Sequence, residues 1–315
     1  MFHLLFSLFM VILQSSVANK PVEAIRLSFL AARHPKAISG IPVQRIPLRW
    51  SDDQSPWCYV VKAATMADND NDVDDIVVPP PTTNFLATQV WPSARAASYA
   101  LETYSNSVTK SHLNNMQTIC EFGCGPGLPT LTAYTKLGIP KVIATDYDSF
   151  ALQLVQAAAS DQKPSLLSQQ LSTQLFDLTL VDATKNPIPK ADLYVMSDVF
   201  ESAHVARGAA RHTARILLQT DSNDMHPRPF VWVFAQSDRA QRDVYVKELE
   251  QYYLPGTLTD DSDTEENCRQ ETRSNAINNL QWTALHDGPP ALSSSLSMFG
   301  GRLWLCDVDE TQVPY

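Results

Sequence analysis

Thr118-Ile-Cys-Glu-Phe-Gly-Cys-Gly-Pro-Gly-Leu-Pro-Thr130 is a short apolar run that breaks into three closely spaced glycines and then resumes with helical spacing. Thr118 to Phe122 has the length and composition of a buried strand, and Leu128 to Leu137 places its apolar residues on one helical face. Gly123, Gly125 and Gly127 make the junction a turn whose backbone can approach a ligand closely. Pro126 suits a first helical turn, where its missing N–H costs little. Outward from this unit the pattern repeats. Lys141 to Thr145 is a strand ending at Asp146, and Phe150 to Ala159 is helical. Gln174 to Leu180 and Ala191 to Met196 are the next strands, followed by a helix over His204 to Gln219. Phe230 to Ala235 is a buried strand, and Arg239 to Tyr253 is a helix. Strands alternating with helices predict a parallel sheet covered on both faces.

The alternation stops near the end. Leu280 to Leu285 and Arg302 to Cys306 are two strand candidates with no helical stretch long enough between them, which predicts a closing antiparallel hairpin. The expected fold class is therefore α/β. It is a Rossmann-like, doubly wound sheet of seven strands, mostly parallel, with a C-terminal antiparallel hairpin.

The glycine turn opens a helix, whose N-terminal N–H groups favour an anionic or polar ligand. A dinucleotide fingerprint requires a third glycine where this chain has Leu128, which disfavours a nicotinamide dehydrogenase, as does the closing hairpin. Glu121 lies just upstream of the turn, and Asp146 ends the second strand 19 residues after Gly127. A carboxylate there can accept both hydrogen bonds of a ribose diol. The competing reading is a bare tight turn with Asp146 capping a helix.

Cys120 to Thr130, followed by Lys141-Val-Ile-Ala-Thr-Asp-Tyr147, resembles the seven-β-strand protein-lysine methyltransferases, the group that acts on chaperones, elongation factors and the electron-transfer flavoprotein β subunit. The resemblance covers roughly residues 86–308. It implies S-adenosyl-L-methionine as cofactor and a protein lysine as acceptor. Carried over residue by residue, it places Trp91 of Val90-Trp-Pro-Ser-Ala94 beside the cofactor. Gly123, Cys124, Gly125 and Gly127 form the cofactor loop, Glu121 just upstream is counted with them as cofactor-binding, and Asp146 takes the ribose. Asp182 falls near the adenine, with Ala183 where the family often has tryptophan.

Ser197-Asp-Val-Phe-Glu201 follows the fourth strand and resembles the family's acidic-x-x-aromatic signature. Ser197 is expected to face the cofactor. A lysine acceptor, with a free pKa of about 10.4, must shed a proton to expose its lone pair. Asp198 is expected to hold the incoming ammonium, Phe200 to face it as a cation–π wall, and Glu201 to define the entrance. The bland alternative makes Asp198 a helix cap and Phe200 a core residue. Methylation of a small molecule or of another protein residue on the same fold stays open, as does a module that binds cofactor without turnover.

Composition narrows the partners. Residues 1–50 hold six Lys/Arg and one acid, leaving 18 basic against 33 acidic residues beyond them. No basic stripe marks a nucleic-acid footprint, so a nucleic-acid partner is not expected. The five cysteines and seven histidines show neither a disulfide framework nor metal-ligand spacing, so no metal is expected. A monomer is expected.

Phe2 to Leu13 is nearly continuous apolar sequence, followed by Gln14-Ser-Ser-Val-Ala18, as in a signal peptide. A membrane span needs about 20 residues, so a stable span is not expected. Residues 24–50 are basic with no acid, as in transit segments. Residues 1–50 are read as a targeting segment for an organelle (plastid or mitochondrion) or for secretory entry, with a mis-assigned start as the alternative. Asp68 to Asp75 and Pro79-Pro-Pro81 make residues 51–84 an acidic, proline-rich linker. The catalytic domain is placed at 85–315, with an acidic surface loop at 257–275. On this reading residues 1 to about 80 are dispensable for cofactor binding.

Overall fold

A computed structural model describes residues 36–62, 85–106, 116–218, 229–236, 238–253, 283–284, 296–298, 301–309 and 313. The signal-like run, Asp68 to Asp75, the triproline and the 257–275 loop, with Cys268, lie outside the described residues. Contacts divide the chain into units of residues 1–37 and 38–315. The second unit is the one described below.

Eleven strands and five α-helices are found among the described residues. The strands are β1 (Lys36–Ile38), β2 (Ile41–Pro47), β3 (Trp57–Val61), β4 (Thr118–Phe122), β5 (Lys141–Asp146), β6 (Gln170–Leu175), β7 (Leu193–Ser197), β8 (Phe230–Ala235), β9 (Thr283–Ala284), β10 (Leu296–Met298) and β11 (Leu303–Asp307). The helices are α1 (Pro92–Asn106), α2 (Leu128–Lys136), α3 (Ser149–Ser160), α4 (Ala203–Leu218) and α5 (Ala240–Tyr253).

The main sheet runs β6-β5-β4-β7-β8-β11-β10-β9. β6 to β11 in that order pair in parallel, whereas β10 pairs antiparallel with both β11 and β9. The seven-stranded, mostly parallel sheet with an antiparallel close is thus as expected, with the two-residue β9 adding an eighth strand at the edge. The two strands predicted for the hairpin do not pair with each other. Leu296–Met298 lies between them, too short to register as a strand in the sequence pattern.

Alternation along the central strands sends side chains to opposite faces. Ile119, Leu193, Val195, Trp232 and Phe234 pack with Ala97, Leu101 and Leu137 on one face. Phe122, Met196, Val231 and Val233 pack with Ala206, Ala210 and Tyr245 on the other. Both faces are therefore covered by helices, which a parallel sheet requires.

The chain leaves β4 in one direction to build β5 and β6, then returns to place β7 and β8 on β4's other side. The crevice outside the carboxyl ends of β4 and β7 is the topological switch point, where ligands bind in open α/β sheets.

Residues 38–61 correct the expected domain boundaries. β2 and β3 pair antiparallel from Val43–Val61 to Pro47–Trp57. All five residues of β3 are buried. Ile41, Val43, Trp57, Tyr59 and Val61 share a core with Leu128 and Leu131 of α2 and Phe150 and Leu154 of α3. Tyr59 Oη donates to Asp161 Oδ2 at 2.7 Å, and Arg95 Nη1 donates to the carbonyls of Pro47 and Leu48 at 3.1 and 3.0 Å. This stretch packs into one core with α2 and α3. Composition hid it, because the basic residues and flanking prolines outweighed two short period-2 patterns.

Candidate functional site

Gly127 is the N-cap of α2, with φ of 73°. That left-handed conformation favours glycine, and a Cβ there would lie 2.5 Å from Val155 Cγ2. Pro129, rather than Pro126, occupies the first turn of α2. Gly125, with φ of 50°, carries its N–H onto Asp146 Oδ2 at 2.8 Å. A Cβ at Gly125 would meet the Ala87 carbonyl at 3.2 Å, so a short 3-10 turn, Phe85–Thr88, lies directly against the loop.

Asp146 Oδ1 also accepts from the Asp148 N–H, at 2.9 Å. Each carboxylate oxygen thus holds one backbone N–H and retains a lone pair. The cap of α3 is Asp148, whose Oδ1 accepts from the Phe150 N–H, so the helix-cap alternative for Asp146 falls away. Burial pushes the Asp146 carboxyl up to about 6, opposed by those two backbone hydrogen bonds.

Glu121 lies under the loop rather than in it. Its Oε2 accepts from the N–H and Oγ1 of Thr130 at 2.9 and 2.6 Å, and Ser197 Oγ donates to Oε1 at 3.3 Å. Burial pushes its carboxyl up to about 8, against the lowering effect of those hydrogen bonds. Glu121 ties β4, α2 and β7 together.

A pocket of about 240 Å³ opens above these residues. Trp91, Gly123, Cys124, Gly125, Asp146, Ser197, Asp198 and Glu201 all line it. These residues come from four separate stretches of sequence, and the fold brings them together.

Five residues named from the sequence lie elsewhere. Glu121 and Gly127 are the supports just described. Phe200 is 1% exposed and packs 5.3 Å from Tyr245, so it is a core residue and not an acceptor wall. Asp182 and Ala183 are exposed, and Asp182 Oδ1 accepts from the N–H and Oγ1 of Thr184. The displacement follows from β6, which spans Gln170–Leu175 and not Gln174–Leu180. β6 is an edge strand of Gln, Ser and Thr, and the apolar residues just after it drew the predicted strand forward. With β6 in place, Phe176, Asp177 and Leu178 occupy the carboxyl end of the third strand and line the pocket.

Asp198 follows β7 with φ of 55°, a left-handed conformation seldom adopted by a residue with a side chain. It does not cap α4; Ser202 Oγ accepts the Val205 N–H there at 3.2 Å. The Asp198 Oδ2 instead accepts from Arg239 Nη2 at 2.8 Å. Arg239 also lines the pocket, and its guanidinium carbon lies 5.4 Å from the Trp91 ring centroid. Nothing local in the sequence marked Arg239. Its only signal is its place just after β8, at the sheet end where ligands gather.

Cys58, Cys120, Cys124 and Cys306 are buried and free of disulfides. Burial pushes the Cys124 thiol well up, so it faces the pocket as a neutral group. Among the described residues, no helix is long and apolar enough to cross a membrane.

Residues 71–208 match the family described as lysine methyltransferase. The resemblance drawn from the glycine loop and Asp146 is borne out by that match. No curated protein matches the chain. Among solved structures, the chain is similar to an arsenic(III) S-adenosylmethionine methyltransferase from Chlamydomonas reinhardtii, at 16% identity and a TM-score of 0.25. That match covers 39% of this chain, which spans 46% of the algal protein. An SAH-bound methyltransferase of Podospora anserina matches at 9% identity over 64% of this chain and 77% of its own, with a TM-score of 0.35. A putative S-adenosylmethionine-dependent methyltransferase of Methanococcus maripaludis matches at 13% identity, over 70% and 96%, with a TM-score of 0.29.

Proposed function

We propose that this chain is an S-adenosylmethionine-dependent methyltransferase whose acceptor is the side-chain amine of a protein lysine. The observation that carries this reading is the union of the glycine loop and Asp146 at the switch point. The Gly125 N–H is bonded to the carboxylate that can take a ribose diol, and both face the pocket. The lysine methyltransferase match over 71–208 supports the acceptor class.

The residues present fit such a cofactor. Asp146 keeps acceptor capacity on both oxygens, and Phe176 and Leu178 offer apolar surface beside it for a base. Asp177, not Asp182, is the carboxylate at that end of the pocket. Trp91 and the 85–88 turn cover the glycine loop from above.

When bound, S-adenosylmethionine would supply an electrophilic methyl for the lone pair of a deprotonated amine, with the S–C bonding pair left on sulfur. The protein's part is position and exclusion of water. Glu201, and Asp198 paired with Arg239, put carboxylates at the acceptor end of the pocket, where they would draw an ammonium in and orient it before its proton leaves to solvent. Ser197, in the pocket wall, is tied to Glu121 beneath the glycine loop.

Tritiated-methyl labelling tests the reading. A fractionated lysate from cells lacking the protein, incubated with purified protein and labelled S-adenosylmethionine, should yield a labelled band that yields methyl-lysine on hydrolysis. Label confined to small molecules would overturn the acceptor class.

A further inference from the structure

We propose that Arg239 is a built-in stand-in for the acceptor's cation: it occupies Asp198 until an acceptor ammonium displaces it. This rests on the methyltransferase reading and adds to it a residue that sets acceptor affinity.

The Asp198 side chain is 3% exposed, whereas that of Arg239 is 32% exposed. A buried carboxylate left without a cation is costly, so a site designed to receive an ammonium must be filled between turnovers. The asymmetry in exposure says which partner can leave. The carboxylate belongs to the buried floor, with its backbone N–H held by the Phe234 carbonyl at 3.0 Å. The guanidinium reaches in from the surface on a long side chain.

Its backbone is anchored nearby, with the Arg239 N–H on the Gln236 carbonyl at 3.2 Å, so the side chain can swing without moving α5. Trp91, 5.4 Å from the guanidinium carbon, makes a cation–π contact with it at the pocket wall while it sits on Asp198. Asp198 lines the pocket beside Ser197 and Glu201, at a positive φ, with its carboxylate covered by the guanidinium. A residue kept only to clamp the fold would not need to stand in the one pocket wall that an incoming amine must meet.

Sinefungin tests this without knowledge of the acceptor. It replaces the sulfonium and its methyl by a carbon bearing an amine, and so carries an ammonium toward the acceptor side. S-adenosylhomocysteine lacks that charge. The readout is the ratio of their dissociation constants by calorimetry. Arg239→Ala should raise the preference for sinefungin by about tenfold to a hundredfold, the scale of one charge-assisted hydrogen bond. Arg239→Lys should keep the wild-type ratio.

The gain must depend on Asp198, so an Asp198→Asn, Arg239→Ala double variant should return to the wild-type ratio. Should Arg239→Ala fail to fold, Arg239→Gln keeps the volume and removes the charge, and reads the same. An unchanged or lowered sinefungin preference in a folded Arg239 variant would overturn the proposal. So would a gain that persists without Asp198, since that is only the removal of a positive charge. If wild-type protein binds S-adenosylhomocysteine but the ratio fails to move, the stand-in alone is wrong. If neither ligand binds wild type, the methyltransferase reading fails and takes the stand-in with it.

Discussion

Removing residues 1–81 should unfold the cofactor loop, although composition marks that stretch as dispensable. β2 and β3 cover Leu128 and Leu131 of α2 and Phe150 and Leu154 of α3, all at most 7% exposed. Fully exposing such a side chain costs about 1.5–3 kcal/mol, and half exposure of all four costs roughly 3–6 kcal/mol. The shortened chain no longer orders the hairpin, but that saving does nothing for the helices left behind. A domain's whole stability is about 5–15 kcal/mol, so the loss consumes much of it. At about 2–4 °C per kcal/mol for a chain of this size, Tm should fall by roughly 6–24 °C. Because Gly127 caps α2, the loop that would hold the cofactor is lost with it. Thermal melting and S-adenosylhomocysteine calorimetry, run on the full chain and on one starting at Thr82, measure both effects. A Thr82 chain with unchanged Tm and undiminished affinity would refute the reasoning and restore the hairpin to the status of an appendage.

Three further expectations concern the pocket. Affinity for S-adenosylhomocysteine should rise with pH by at most about tenfold per unit up to about 6, where Asp146 ionises, and then level off; affinity that is flat from pH 4.5 to 7.5 would contradict a ribose role. Glu121, raised from 4.5 to about 8, contributes stability that is fully present below its unfolded value and lost as pH rises through about 8. Glu121→Gln should therefore flatten the fall in unfolding free energy between pH 5 and 8, as read from urea titrations at each pH, and an unaltered slope would assign it to other groups. Asp177→Ala should weaken S-adenosylhomocysteine binding several-fold and Asp182→Ala should leave it unchanged, with the reverse order returning the adenine end to Asp182.

The central unit was legible because its residue types leave little choice. An apolar strand, glycines at positive φ and a carboxylate at the next strand's end are each demanded by local geometry, and the chain displays them in order. Where the sequence misled, the deciding interaction was not local. β6 is polar because it is an edge strand, so the apolar run after it looked more strand-like than the strand itself, and the carboxylate expected at that strand's end was read as Asp182 where Asp177 lines the pocket. β2 and β3 are short and set among basic and proline residues, so their burial shows only once α2 and α3 are packed against them. Asp198 could be placed at the sheet end, but its partner lies 41 positions along, after β8, and no spacing rule links the two. Phe200 carries a signature aromatic's position, yet the packing of Tyr245 on α5 draws it into the core.

The central claim is tested most directly by calorimetry of S-adenosylhomocysteine on wild type, Asp146→Ala and Gly125→Arg. Gly125→Arg forces a long side chain at a positive φ, where even a Cβ meets the Ala87 carbonyl, and should abolish binding. Asp146→Ala removes a charged acceptor and should weaken binding by about tenfold to a hundredfold. Equal affinity in all three proteins would contradict the account, as would binding of NADH in place of S-adenosylhomocysteine.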